Sequence, residues 1–149
     1  MEIPSRPRHI LLMENEKTIA QDGITEASLT VLVERFYGKV REDAALGPIF
    51  NNAIDDWPEH LERLQAFWSS VMLTSGRYKG QPLPAHLKHE AAITPALFER
   101  WLSLWRETTN ELMAPAAAAA LQEKAGRIAQ SLSFGIEDQR ERLRRQAAA

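Results

Sequence analysis

His60 and His86 lie 26 positions apart, each set in a helical frame. His60 closes Asp56-Trp57-Pro58-Glu59-His60 at the start of one helical run, and His86 sits in Gln81-Pro82-Leu83-Pro84-Ala85-His86-Leu87 just past a Gly/Pro break. Two imidazoles on consecutive helices separated by a turn can grip opposite sides of a flat metal cofactor. An axial histidine is a usual ligand of haem iron, and the polar groups on the far side then decide what the iron does.

Two further side chains carry usable protons. Tyr37 offers an O–H and Trp101 an indole N–H, and each falls on a face of its own helix. Taken singly, each of the four has a plainer reading: a core tyrosine with its hydroxyl at the edge, a packing tryptophan, histidines that cap or meet water. His86 also has a neighbour, His89, and an i, i+3 pair of histidines suits zinc. No cysteine or obvious further ligand accompanies that pair, so zinc is the weaker chemistry.

The elements that must position these residues are helices. Thr25 caps a run in which Leu29, Leu32, Val33, Phe36, Tyr37 and Val40 recur every three or four residues, the spacing of one helical face. Gly47-Pro48 is expected to end it, leaving Ile49-Phe50 as an apolar link. A second helix starts near Asp55 or Asp56, with Pro58 in its first turn and Leu61, Leu64, Phe67, Trp68, Val71 and Met72 as its apolar set; Gly76 and Gly80 close it. A brief helix then holds His86, with Leu83 and Leu87 flanking the imidazole. Thr94-Pro95 opens a third long helix through Phe98, Trp101, Leu102 and Trp105, and Pro115 opens the last, whose stripe runs through Leu121, Ala125, Ile128, Ala129 and Leu132. The alanines at 116–120 favour helix and close backbone approach. No stretch alternates with the period of a strand, so the fold is expected to be all-α.

At 149 residues and 44% hydrophobic content the chain suits one domain with a real core. We read residues 1–22 as an N-terminal extension, 23–135 as the domain, and 136–149 as a charged, Arg-rich tail, fraying or forming a separate solvated helix. A formal charge of −2 gives no reason to expect nucleic acid. Without cysteine there is no disulfide framework or thiolate ligand. No apolar run approaches the roughly 18 residues of a membrane span, so no membrane insertion is expected and a cytoplasmic location is the default.

Six segments in order resemble the truncated haemoglobins, specifically their third group. They are Phe36-Tyr37-Gly38-Lys39-Val40-Arg41, Leu46-Gly47-Pro48-Ile49-Phe50, Trp57-Pro58-Glu59-His60, Phe67-Trp68, Tyr78-Lys79-Gly80-Gln81-Pro82 through His86, and Phe98-Glu99-Arg100-Trp101-Leu102. The resemblance spans about residues 25–134. It implies a two-over-two helical sandwich around one b-type haem (iron protoporphyrin IX). It also implies His86 as the proximal, metal-binding ligand, His60 as the distal histidine, and Tyr37 and Trp101 at the polar distal positions. Phe50, Leu64, Phe67, Trp68 and Phe98 are then cofactor-pocket walls, and Arg77, Tyr78 and Lys88 are candidates for the haem propionates.

Such a site binds O2, CO, NO or peroxide as small ligands. With three proton donors it suits chemistry on the ligand, of a peroxidase or nitric oxide dioxygenase kind, better than simple delivery. Catalysis would need an external reductase, because the chain carries no flavin or nicotinamide motif. The competing class is a non-haem helical interaction module built on the alanine-rich helix and Arg-rich tail, and it would be colourless.

Overall fold

The computed structural model describes residues 23–87, 89 and 92–148. The extension expected over residues 1–22 therefore lies outside the described residues. Among the described residues six helices carry the fold: α1 (Glu26–Glu42), α2 (Gly47–Ala53), α3 (Trp57–Leu73), α4 (Pro82–Leu87), α5 (Pro95–Leu112) and α6 (Pro115–Ala148). No strand occurs among the described residues.

The caps fall where short polar side chains precede the apolar stripes. Thr25 and Ser28 satisfy each other's backbone N–H groups in a reciprocal box at the start of α1. Asp56 accepts from the N–H of Glu59 at 3.1 Å and Thr94 from that of Leu97 at 3.4 Å, each ahead of a proline whose missing N–H costs the first turn nothing.

α1 is the central element. It packs on α3 along one side and on α5 along another, α5 packs on α6, and α4 lies against α6. Leu29, Leu32, Val33, Phe36 and Val40 of α1 are fully buried, together with Trp68, Trp105 and Leu121. An aromatic column holds this core: Trp68 stacks on Trp105 at 4.4 Å, Trp101 lies parallel to Trp105 at 5.9 Å, and Phe36 meets Trp105 edge-on at 4.9 Å. Such pairs add about 0.5–1.5 kcal/mol each beyond area burial. Trp105 also donates its Nε1–H to the carbonyl of Leu121, joining α5 to α6.

Three local expectations are corrected. Ile49 and Phe50 are not a link but part of the short helix α2, because α1 already stops at Asp43, whose backbone is extended and whose carboxylate accepts the N–H groups of Ala45 and Leu46. Gly47 then abuts the end of α1, where a Cβ would stand 2.7 Å from the Arg41 carbonyl oxygen. α3 ends before its glycines, at Thr74 with φ of 54°. The tail beyond Gly135 is no separate helix: α6 runs unbroken for 34 residues, with Ile136 buried. No helix among the described residues is long and apolar enough to cross a membrane.

Candidate functional site

A cavity of about 450 Å³ opens between α2, α3, α4, α5 and α6, within the size range of cofactor pockets. Its walls include Phe50, Leu64, Phe67, Trp68 and Phe98, all anticipated, and Ile54, Leu97, Ile128, Ala129 and Leu132, which were not assigned to it. The latter were legible as stripe residues; which of two apolar faces a stripe turns toward is a tertiary fact. Most of these side chains are only half-buried, leaving apolar surface turned toward the cavity.

Tyr37, His60 and Trp101 converge on one region of this space. Tyr37 is buried, with its ring 6.3 Å from that of His60 and 5.9 Å from that of Phe50. Trp101 is held between Trp105 and the edge of Phe36 at 5.6 Å, with its indole N–H bearing on the Tyr37 hydroxyl. Indole is donor only, while the Tyr37 hydroxyl can both accept and donate, so a bond from Trp101 to Tyr37 would leave the tyrosine's own proton to donate onward. Burial pushes the Tyr37 hydroxyl far above the ordinary phenol range, against the opposing bond from Trp101, so it stays a donor.

His60 sits in the first turn of α3, half-buried, with its ring 5.7 Å from Trp57. Trp57 is itself buried under the Arg41 guanidinium, 4.6 Å from the ring centre. Burial lowers the His60 pKa below its ordinary value of 6.5, and the charges of Arg63 and His86 lower it further. The imidazole is accordingly neutral at neutral pH.

His86 stands apart from that trio. It lines the same cavity from α4, and its Nδ1 lies 2.6 Å from the carbonyl oxygen of Pro82. A carbonyl can only accept, so Nδ1 carries the proton and Nε2 keeps a free lone pair. This is the arrangement that fixes tautomer and ring orientation in metal-ligating histidines. His89 also borders the cavity, and among the described residues no three His, Asp or Glu side chains gather into a cage for a bare ion. A macrocycle that brings its own equatorial donors needs one protein ligand and apolar walls, and these residues fit it.

Of the residues expected at the rim, Tyr78 borders the cavity, its ring edge-on to Phe67 at 5.3 Å and its N–H donated to Ser70 Oγ at 2.9 Å. Arg77 does not border it: its guanidinium is engaged by Glu26, which also receives the Ser69 hydroxyl. Lys88 lies outside the described residues. Arg63 was missed. It borders the cavity one turn beyond His60, paired with Glu59 at 2.5 Å, and the i, i+3 spacing from His60 was the available signal.

A helical sandwich enclosing an apolar cleft, with one pre-oriented imidazole and a separate cluster of proton donors, defines a shortened globin. No known family model matches the chain. It is 43% identical over 93 residues to the group 3 truncated haemoglobin ctb of Campylobacter jejuni, covering 60% of this chain and 72% of that protein. The crystal structure of the group III truncated haemoglobin from Campylobacter jejuni superposes with a TM-score of 0.70 at 37% identity, over 77% of this chain and 93% of that one. The chain belongs to the group 3 truncated haemoglobins.

Proposed function

We propose that this globin holds one b-type haem through Nε2 of His86 and binds small diatomic ligands or peroxide beside Tyr37, His60 and Trp101. The observation that carries the reading is the Nδ1–H bond from His86 to Pro82 in a cavity shared with the Tyr37–Trp101 pair. Haem, when bound, supplies an open coordination position and, with an external reductase, redox chemistry on its ligand. The remaining work belongs to side chains. Phe50, Leu64, Phe67 and Phe98 exclude water from the ring faces. Tyr37 donates its O–H to an oxygen atom of the ligand, and Trp101 steadies that hydroxyl by donating to its oxygen. Neutral His60 holds one ring proton and one lone pair, and can pass a proton between solvent and ligand at the edge of the cavity. Arg63 and Tyr78 take the cofactor's carboxylates at the rim.

That donor set favours turnover of O2, NO or peroxide over delivery, because each hydrogen bond that holds a polar ligand also slows its escape. Absorption spectra of the purified protein in ferric, ferrous and CO-exposed forms test the reading. We expect a haem spectrum that His86→Gly weakens and added imidazole restores. A colourless protein after expression with abundant haem, or His89→Gly producing the loss instead, overturns it.

A further inference from the structure

The far end of α6 has no part in the ligand chemistry above, yet it meets the His86-bearing segment at two points. Ile128, Ala129 and Leu132 form a cavity wall, and the same helical face continues outward through Gly135, Ile136 and Arg140. At Gly135 the helix is notched for Leu83: a Cβ there would stand 2.6 Å from Leu83 Cδ1 and 2.8 Å from Cδ2. Leu83 is the residue after Pro82, whose carbonyl orients His86. Next to the notch Ile136 is buried, and one turn further Arg140 donates from Nη2 to the carbonyl of Ile93, the residue before the Thr94 cap of α5. Arg140 is held in place by Glu137 at 2.7 Å and is itself only 23% exposed.

We propose that Gly135 and Arg140 are positioning residues for His86, a two-point clamp by which the C-terminal part of α6 sets where the imidazole stands. α4 is only six residues long. A helix of that length has little intrinsic stability, so its placement must come from packing. The clamp holds α4 itself at Leu83, just ahead of His86, and holds the chain at Ile93, where it re-enters α5. A shift at either point moves the Pro82 carbonyl relative to the imidazole, changing the tilt and basicity of Nε2. The tail read from sequence as solvated thereby governs axial bond strength and haem retention.

The inference rests on His86 as iron ligand, and its test separates the two. Resonance Raman of the ferrous, ligand-free protein reads the iron–imidazole stretch, and transfer of haem to a scavenging protein reads its loss. In the parent the stretch must vanish in His86→Gly; if it persists, the ligand assignment fails whatever the tail does. With that established, Gly135→Ala and Arg140→Gln should each shift the stretch and speed haem loss by about tenfold, the scale of overpacking or a lost charged hydrogen bond. Leu83→Ala placed on top of Gly135→Ala should restore the parent frequency, because it removes the atoms the new Cβ meets, and Arg140→Lys should restore most of it. Hydrogen exchange across α4 in the haem-free protein should rise in the same variants. An unmoved stretch in Gly135→Ala and Arg140→Gln overturns the clamp, as does a shift that Leu83→Ala fails to reverse. Should Gly135→Ala not fold, Arg140→Gln and Arg140→Lys decide the matter alone.

Discussion

A ligand in this cavity meets Tyr37 as a buried O–H donor, and in the proposed arrangement Trp101 acts on it through the Tyr37 hydroxyl. A hydrogen bond to a charge-bearing acceptor contributes about 1.5–3 kcal/mol, and about 1.4 kcal/mol is a factor of ten. Tyr37→Phe should therefore speed O2 dissociation by roughly 10- to 100-fold. Trp101→Phe should have a smaller effect, since the hydroxyl remains but loses its orienting donor. In the Tyr37→Phe background Trp101→Phe should add almost nothing, because a series arrangement couples. Stopped-flow measurement of the four proteins checks this, and additive effects would refute the series. The four chemical positions were legible in sequence because each sits at a marked place: a cap, a Pro-reset helix, a stripe. Their order of action was not, because Trp101 on α5 and Tyr37 on α1 stand 64 positions apart and their approach depends on how Trp105 and Phe36 seat the indole.

At the scale of elements, the connection between α1 and α2 rests on Asp43. Its carboxylate is 8% exposed and accepts from Ala45 N–H at 3.1 Å, Leu46 N–H at 3.0 Å and Arg100 Nε at 2.8 Å. Those partners, Arg100 foremost, hold its pKa below the ordinary carboxylate value. A depressed carboxylate stabilises the fold above its unfolded value of about 3.9, and that contribution disappears as pH falls through the lower folded value. Asp43→Ala should cost about 1–2 kcal/mol at pH 7 in urea unfolding, with the gap narrowing as pH drops below about 4. A gap that stays constant down to pH 2 would contradict the assignment.

Thr74 offers an opposite expectation. A β-branched residue at φ of 54° sits in the left-handed region, so Thr74→Gly should stabilise the protein by about 1 kcal/mol, read as a higher unfolding midpoint. A lowered midpoint would show that its hydroxyl, bonded to the Leu73 carbonyl, matters more than its backbone. Both junctions escaped the sequence reading for one reason. Gly and Pro mark where a helix cannot continue, while the actual stops at Asp43 and Thr74 are set by side-chain capping and by the packing of Gly47 on Arg41. Helix identity was legible from periodicity, because a stripe recurring over several turns survives an error of two or three positions at either end.

For the molecule as a whole, the distribution of packing separates what the chain holds together from what the cofactor must complete. The column of Trp68, Trp105, Trp101 and Phe36, two of whose rings also border the cavity, is backed by fully buried Leu29, Leu32, Val33 and Leu121 and ties α1, α3, α5 and α6 by protein contacts alone. α4 is different: it packs chiefly on α6, and His86 and Pro82 border the cavity. A ligand that binds the native state alone adds RT ln(1 + [L]/Kd), about 4.1 kcal/mol at a thousand times Kd. Haem removal should therefore lower the unfolding midpoint without dissolving the fold. Native-state hydrogen exchange of the haem-free and haem-bound proteins should show the loss confined to α4 and the first turn of α5, with amides of α1 and the middle of α5 still protected. Re-adding haem should restore α4 in the parent but not in His86→Gly, since only the parent gains a bond at the centre of that helix. Uniform loss of protection across α1 and α5 would mean that haem nucleates the whole sandwich, and that the aromatic column does not stand on its own.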